Sequence, residues 1–93
     1  MKVMEIKEPT IGIVGLGYVG LPLAQVFSAK YNVVGFDVSD QRIKSLNERT
    51  DITEELDAAS LGEMFASGFK ISTELEILKI CDVIIVTVPT PVT

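Results

Sequence analysis

The sequence has 93 residues, a formal net charge of −5 and no histidine, and Cys81 is its single cysteine. This length limits the chain to one small domain, and an apolar content of 47% suits a sheet that is covered on both faces. The acidic balance argues against nucleic acid and against an anionic membrane surface as partners. One cysteine without histidine excludes an internal disulfide and a cysteine-based metal site, and it argues against zinc binding and histidine acid–base catalysis.

The N-terminal residues Met1 to Glu8 alternate between charged and apolar types, so they lack the apolar core of a secretory signal. No apolar run approaches the ~20 residues that a membrane-spanning helix needs. We therefore expect a cytoplasmic protein whose residues 1–9 form a tail ahead of the domain.

The first half of the chain alternates between strand-like and helix-like segments. Short β-branched runs predict strands over Thr10–Val14 and Asn32–Phe36. Apolar residues at helical spacing predict helices from about Tyr18 to Lys30 and from about Gln41 to Arg49. Ser39 or the residue after it is expected to cap the second helix, because both side chains accept hydrogen bonds from free backbone N–H groups.

The second half opens with a polar and acidic connection, Thr50–Asp57. It is followed by a predicted helix over Ala58–Ala66, a short strand over Phe69–Ser72 and a brief helix over Glu74–Ile80. The run Asp82–Val88 is the strongest strand prediction in the chain, and the two prolines that follow end it.

This alternation predicts an α/β fold with a parallel sheet and right-handed crossovers. It corresponds to the first half of a Rossmann-like doubly wound sheet, with strand order 3-2-1-4, so we expect a partial, truncated domain over residues 1–93. In such a half-domain the last strand is left as an unpaired apolar edge. We therefore expect the chain to self-associate through that edge.

A glycine-rich motif, Gly15-Leu16-Gly17-Tyr18-Val19-Gly20, joins the first predicted strand to the first predicted helix. The next predicted strand is followed by Asp37, which lies 20 residues after Gly17. The glycines alone would indicate only a tight turn. The βαβ context and the acidic residue together make the motif the fingerprint of a dinucleotide-binding site.

Each glycine of the motif has a structural role that a larger residue would not fill. Gly15 allows backbone angles that a side chain forbids. Gly17 leaves room for a pyrophosphate, and Gly20 lets the helix pack closely on the strands. The backbone N–H groups of Tyr18 and Val19, at the positive end of the helix dipole, are the expected phosphate donors.

Asp37 indicates which dinucleotide is bound. Its carboxylate is expected to accept hydrogen bonds from the adenosine ribose hydroxyls, whereas the 2′-phosphate of NADP would meet a like charge. At about 4 Å and an effective dielectric constant of about 20, that repulsion costs about 4 kcal/mol before screening. The sequence therefore predicts NAD rather than NADP, with Arg42 over or beside the adenosine.

Three stretches resemble the N-terminal region of the UDP-glucose/GDP-mannose dehydrogenase family. They lie in Ile11–Ala24, which contains GLGYVGLPLA, in Val34–Val38, and in Val86–Pro91, which contains VPTP. The combination is most similar to the branch that acts on UDP-N-acetylhexosamines. This family oxidises the C6 alcohol of a nucleotide sugar to a carboxylate in two hydride transfers, using two NAD molecules.

The resemblance also implies roles for individual residues. It implies that Tyr18 and Val19 contact the pyrophosphate and that Asp37 and Arg42 contact the adenosine ribose. It also places the loop Val88-Pro89-Thr90 against the cofactor. That loop follows the carboxyl end of a strand beside the first strand, where ligands of doubly wound sheets bind.

Family members run to several hundred residues, and their second domain binds the nucleotide sugar. Their catalytic cysteine lies well beyond the length of this chain. The resemblance therefore implies that the chain alone holds no catalytic residue, is inactive, and meets a UDP-sugar only through downstream domains. Cys81, in an apolar stretch, is expected to be a small buried packing residue.

Two other interpretations remain open at this stage. The chain is alternatively the cofactor domain of a hydroxyacid-type or prephenate-type dehydrogenase, which shares the glycines and the acidic residue, although VPTP and GYVGLP argue against it. It is alternatively a stand-alone nucleotide-binding module.

Overall fold

A computed structural model describes residues 9–87 as one parallel four-stranded sheet with helices against it. The strands are β1 Thr10–Val14, β2 Asn32–Phe36, β3 Lys70–Ser72 and β4 Val83–Val86. The helices are α1 Gly20–Ser28, α2 Asp40–Asn47, α3 Ala58–Ala66 and a 3₁₀ helix, Leu75–Ile80. The sheet order is β3-β2-β1-β4, which confirms the predicted order 3-2-1-4 and the Rossmann-like fold class.

One face of the sheet carries the main hydrophobic core. Ile13 of β1 lies in register with Gly35 of β2 and Ile85 of β4, and alternate residues of a strand point to the same face. All three α-helices contribute to the buried cluster on this face, whose members are Ile11, Ile13, Leu16, Leu21, Ala24, Val33, Leu46, Leu61, Met64 and Phe69.

The opposite face of β1 is covered by the 3₁₀ helix and Cys81. A Cβ placed on Gly12 would lie 2.8 Å from the Cys81 Sγ and 3.0 Å from Leu78 Cδ2, so this close approach requires glycine. Cys81 was expected to be a small buried packing residue, and in the structure it is half-buried. Burial, with the neighbouring Asp82 carboxylate, raises the pKa of the Cys81 thiol and keeps it protonated.

Helix α1 is shorter than the sequence predicted. It begins at Gly20, not Tyr18, because Pro22 has no N–H and fits only in a first turn, where intrahelical donors are not required. The N–H groups of Leu21 and Leu23 on either side of it reach the carbonyls of Gly17 and Val19. The predicted end at Lys30 is also wrong, because α1 ends at Ser28.

The ends of other elements also differ from the predictions. Helix α2 begins at Asp40, capped by Ser39, and stops at Asn47, because Arg49 adopts a left-handed backbone with φ of 64°. Strand β3 starts after Phe69, whose N–H bonds the Met64 carbonyl at the end of α3.

Strand β4 begins at Val83, one residue later than predicted, and the preceding Asp82 binds the start of β1. The Asp82 carboxylate accepts a hydrogen bond from the Thr10 N–H at 2.8 Å, and the Asp82 N–H donates to the Thr10 carbonyl. The predicted end of this strand at Val88 lies outside the described residues. Within residues 9–87 no helix is both long and apolar enough to span a membrane.

We predict that the chain self-associates through the free edge of β4. No strand within residues 9–87 pairs with that edge, and Ile84 and Val86 are 48% and 63% exposed. An apolar edge of this kind pairs readily with another chain, whereas a lysine on it opposes pairing. Sedimentation velocity is expected to show a dimer or larger species for the wild type and a monomer for Val86→Lys.

The matched control for this prediction is Val26→Lys on the outer surface of α1, where the valine is 67% exposed. It introduces the same charge away from the edge and is expected to leave the oligomer intact. A wild-type chain that sediments as a monomer at every concentration contradicts the prediction.

Candidate functional site

The glycine-rich turn leaves β1 through a backbone conformation that requires glycine. Gly15 has φ of 96°, and its N–H donates to the Phe36 carbonyl at the end of β2. A Cβ at Gly15 would also lie 2.6 Å from both the carbonyl oxygen and the hydroxyl of Thr87. The turn is therefore fixed to both strands that flank β1.

The other two glycines of the motif have opposite surroundings. A Cβ at Gly20 would lie 1.6 Å from the Gly15 carbonyl oxygen, so the start of α1 packs directly on the turn. A Cβ at Gly17 would meet no atom within 4 Å. The structure thus separates a packing glycine from a glycine that borders open space.

The turn beside this open space carries four successive backbone N–H groups. Among the described residues, no acceptor is found for the N–H of Gly17, Tyr18, Val19 or Gly20. No side chain caps α1, whereas α2 and α3 each have a side-chain cap. Free N–H groups at the positive end of a helix dipole attract an anionic group such as a phosphate.

The carboxylate of Asp37 holds the turn from the end of β2. Its Oδ2 accepts a hydrogen bond from the Leu16 N–H at 2.9 Å, and its Oδ1 accepts one from the Ser39 N–H at 2.9 Å. Each carboxylate oxygen can accept a further bond. Asp37 therefore orders the turn and keeps acceptor capacity for a ribose hydroxyl.

Arg42, on α2, also binds the backbone of Leu16, at its carbonyl and not at its N–H. The Arg42 Nε donates to the Leu16 carbonyl at 2.7 Å, and its Nη1 donates to the Asp51 Oδ1 at 2.9 Å. The Arg42 side chain is 11% exposed and the Asp51 side chain 0% exposed, so this ion pair is buried. The sequence placed Arg42 over or beside the adenosine, and in this structure most of its surface lies against the protein.

Asp51 is the buried acidic residue of the connection between α2 and α3. Burial alone would raise its pKa, but hydrogen bonds from the Thr53 hydroxyl, the Leu56 N–H and Arg42 outweigh that effect. The pKa of Asp51 therefore lies below its ordinary value of 3.8, and the carboxylate stays ionised. Its neighbours Glu54, Glu55 and Asp57 are exposed, as expected for a solvated connection.

Thr87 closes the third side of the turn. Its hydroxyl lies 3.0 Å from the carbonyl oxygens of both Val14 and Gly15, and its backbone N–H donates to Val14. The threonine thus joins the end of β4 to the end of β1 where the turn begins.

The structure brings most of the predicted site residues together around the turn: Gly15, Gly17, Tyr18, Val19, Gly20, Asp37 and Arg42. The predicted loop Val88-Pro89-Thr90 lies outside the described residues.

The site also includes three residues that the sequence pattern did not single out as binding residues: Leu16, Asp51 and Thr87. Thr87 had a detectable signal, because it is a polar residue at the carboxyl end of an apolar strand run. The roles of Leu16 and Asp51 depend on contacts between residues distant in sequence.

These features fit a dinucleotide. The space at Gly17, the free N–H groups beside it and the carboxylate at the end of β2 match the three contacts that Rossmann folds make with the pyrophosphate and ribose. The fold and the site define the first half of a Rossmann-type dinucleotide-binding domain.

The chain belongs to the UDP-glucose/GDP-mannose dehydrogenase family. The model of this family's NAD-binding domain matches residues 9–93. NAD is therefore the cofactor of this domain, and the resemblance seen in the sequence is confirmed. The match does not support the alternative interpretation of the chain as the cofactor domain of a hydroxyacid-type or prephenate-type dehydrogenase.

Individual relatives agree with this assignment. The chain is 50% identical over 86 residues to UDP-N-acetyl-D-glucosamine 6-dehydrogenase of Pseudomonas aeruginosa, covering 92% of this chain and 20% of that protein. UDP-D-ManNAc dehydrogenase from Pyrococcus horikoshii matches in structure with a TM-score of 0.81 and 37% identity, over 90% of this chain and 21% of that one. GDP-mannose dehydrogenase from Pseudomonas aeruginosa, solved as a ternary complex, matches with a TM-score of 0.76 and 32% identity, over 89% of this chain and 20% of that one. The chain spans about a fifth of the length of these relatives.

We predict that Gly20→Ala destabilises the fold, because its methyl group would lie 1.6 Å from the Gly15 carbonyl oxygen. Forcing an atom into such a packed site costs about 3 kcal/mol. Gly62→Ala on α3 is the control, since a Cβ there meets nothing within 4 Å, and alanine is the better helix former by about 0.5–1 kcal/mol. Urea unfolding of the two variants should give shifts of opposite sign, and equal stabilities would refute the packing role of Gly20.

Proposed function

We propose that the protein carrying this chain is a UDP-N-acetylhexosamine 6-dehydrogenase, in which this chain binds NAD. The observation that carries the proposal is the open, N–H-lined turn at Gly17 in a chain closely similar to a UDP-N-acetyl-D-glucosamine 6-dehydrogenase. The reaction would convert the C6 alcohol of the sugar to a carboxylate. Bound NAD would supply the hydride acceptor, and the residues described above would bind and orient it.

The pyrophosphate would lie against the N–H groups of Gly17, Tyr18 and Val19. Exposed side chains at the last two positions, 70% and 59% exposed, leave the backbone of the turn open on this side. Asp37 would accept hydrogen bonds from the adenosine ribose, with Arg42 beside it. The loop Val88-Pro89-Thr90 would also lie against the cofactor.

We also propose that the chain alone is inactive, because the nucleophile and the sugar site would lie in the remaining four-fifths of the protein. Cys81 does not replace the nucleophile: it packs against Gly12, and its raised pKa keeps it a neutral thiol. Thiolates, not thiols, are nucleophilic. A single cysteine is consistent with a reducing compartment, so we propose a cytoplasmic location.

The test uses the whole protein with NAD and a panel of UDP-N-acetylhexosamines and small hydroxy acids. Oxidation of an alcohol to a carboxylate requires two hydride transfers, so two NADH are expected per UDP-sugar consumed. The 93-residue chain alone is expected to give none. Turnover of hydroxy acids in place of UDP-sugars, or NADH production by the chain alone, would contradict the proposal.

We predict that Gly17→Ala separates cofactor binding from stability. The added methyl group meets no protein atom within 4 Å, so the free energy of unfolding should not fall. The same methyl group occupies the space proposed for the pyrophosphate, so the Kd for NAD should rise at least about tenfold. Calorimetric titration measures this Kd. Gly62→Ala is the matched control and is expected to keep the wild-type affinity for NAD.

We predict that the chain binds NAD more tightly than NADP, because Asp37 repels a 2′-phosphate. Asp37→Asn keeps one oxygen that can accept from the Leu16 N–H, gives up the acceptor for the Ser39 N–H and removes the charge. The ratio of the Kd for NADP to the Kd for NAD should therefore fall at least about tenfold. Asp40→Asn makes the same charge change at an exposed position of α2 and should leave the preference intact. Direct titration with both dinucleotides decides, and equal wild-type affinities would overturn the role of Asp37.

A further inference from the structure

The backbone of Leu16 is held by two side chains from outside the turn. Its N–H is bound by Asp37, and its carbonyl is bound by the Arg42 Nε at 2.7 Å. Its side chain is fully buried. This residue lies immediately before Gly17, where the backbone borders the open space.

The bond to the Leu16 carbonyl also orients the next N–H group. A trans peptide is planar, so the carbonyl of Leu16 and the N–H of Gly17 point in opposite directions. When Arg42 holds the carbonyl on the α2 side, the Gly17 N–H is directed away from α2. That N–H is the first of the free donors in the turn.

Arg42 is itself held in place by Asp51. The Asp51 carboxylate accepts a hydrogen bond from the Arg42 Nη1. It is anchored in the connection by hydrogen bonds from the N–H groups of Thr53, Glu55 and Leu56, each at 2.9–3.0 Å. The guanidinium is planar and rigid, so fixing Nη1 also fixes the direction of Nε. The Arg42 Nη2 is buried without a hydrogen-bond partner among the described residues, so the contacts at Nε and Nη1 determine its orientation.

We propose that Asp51 is a positioning residue for the cofactor: through Arg42 it fixes the peptide between Leu16 and Gly17, and so aims the Gly17 N–H at the pyrophosphate. The proposal rests on the NAD-binding role proposed above and extends it to the connection between α2 and α3. Asp51 does not touch the cofactor in this arrangement. Because Asp37 keeps its own backbone contacts, removal of Asp51 should weaken the binding of a diphosphate more than the binding of adenosine.

The test compares Asp51→Asn with Asp57→Asn in the 93-residue chain. Both variants remove one negative charge from the same connection, but Asp57 is exposed and its carboxylate caps α3 through the Ser60 N–H. Arg42→Lys is the second variant, because a lysine keeps the charge but cannot bridge the Leu16 carbonyl and Asp51 with a rigid fork. ADP and adenosine are the probes, titrated by calorimetry or by NMR.

The expected result is a Kd for ADP about tenfold higher in Asp51→Asn and Arg42→Lys than in Asp57→Asn. The Kd for adenosine should stay within about twofold of wild type in Asp51→Asn. A second readout needs no ligand: the amide resonances of Leu16 and Gly17 should shift in Asp51→Asn and stay in place in Asp57→Asn. A purely local role for Asp51 would move only the resonances of its own connection.

The outcomes separate this inference from the proposed function. If the wild-type chain binds ADP and Asp51→Asn binds it as Asp57→Asn does, the positioning role is overturned and the NAD-binding role stands. Unmoved Leu16 and Gly17 resonances overturn it equally. If the wild-type chain binds neither NAD nor ADP, both the proposed function and the positioning role fail.

Discussion

The site depends on the fixation of one residue, Leu16, on three sides. Its side chain packs against β2, where a Cβ on Gly35 would lie 2.8 Å from Leu16 Cδ2. Its N–H and carbonyl are bound by Asp37 and Arg42. Core packing, the end of β2 and helix α2 therefore all act on the same short turn. A backbone held in this way can leave the following N–H groups free, because the turn does not need them for its own stability.

Close approaches between elements require glycine at several distinct positions of the sequence. Gly12 and Gly35 lie on opposite faces of the sheet and admit Cys81 and Leu16, respectively, closer than any side chain would allow. Gly20 brings α1 onto the turn, so the positive end of the helix dipole lies beside Gly17. Close packing around the turn thus places the helix terminus where an anion would bind.

Much of the fold could be predicted from the sequence, because its signals are local. The β-branched runs gave β1 and β2 with their observed bounds, and the βαβ alternation gave the strand order. The site was predicted as far as the motif reaches: the glycines and Asp37. The role of Asp51 was missed because it arises from a contact with Arg42 that only the folded chain creates. Thr87 had only the signal of a polar residue at the end of an apolar strand run, and its contacts depend on the pairing of β1 with β4. Asp51 resembles its exposed acidic neighbours in sequence and differs from them in burial and in its ion pair with Arg42.

The charge distribution shows how a chain with a net charge of −5 can attract an anionic cofactor. The charge of Asp51 is compensated by Arg42, and Asp37 is bound by the N–H groups of Leu16 and Ser39. The exposed carboxylates of the connection are screened by salt over about 8 Å at physiological ionic strength. Close to the turn the free N–H groups therefore dominate, and they act at hydrogen-bond distance, where screening is weakest. In the proposed arrangement Asp37 would be the acidic group whose charge a bound dinucleotide meets directly, which would suit a residue that admits a ribose hydroxyl and repels a phosphate at the same position.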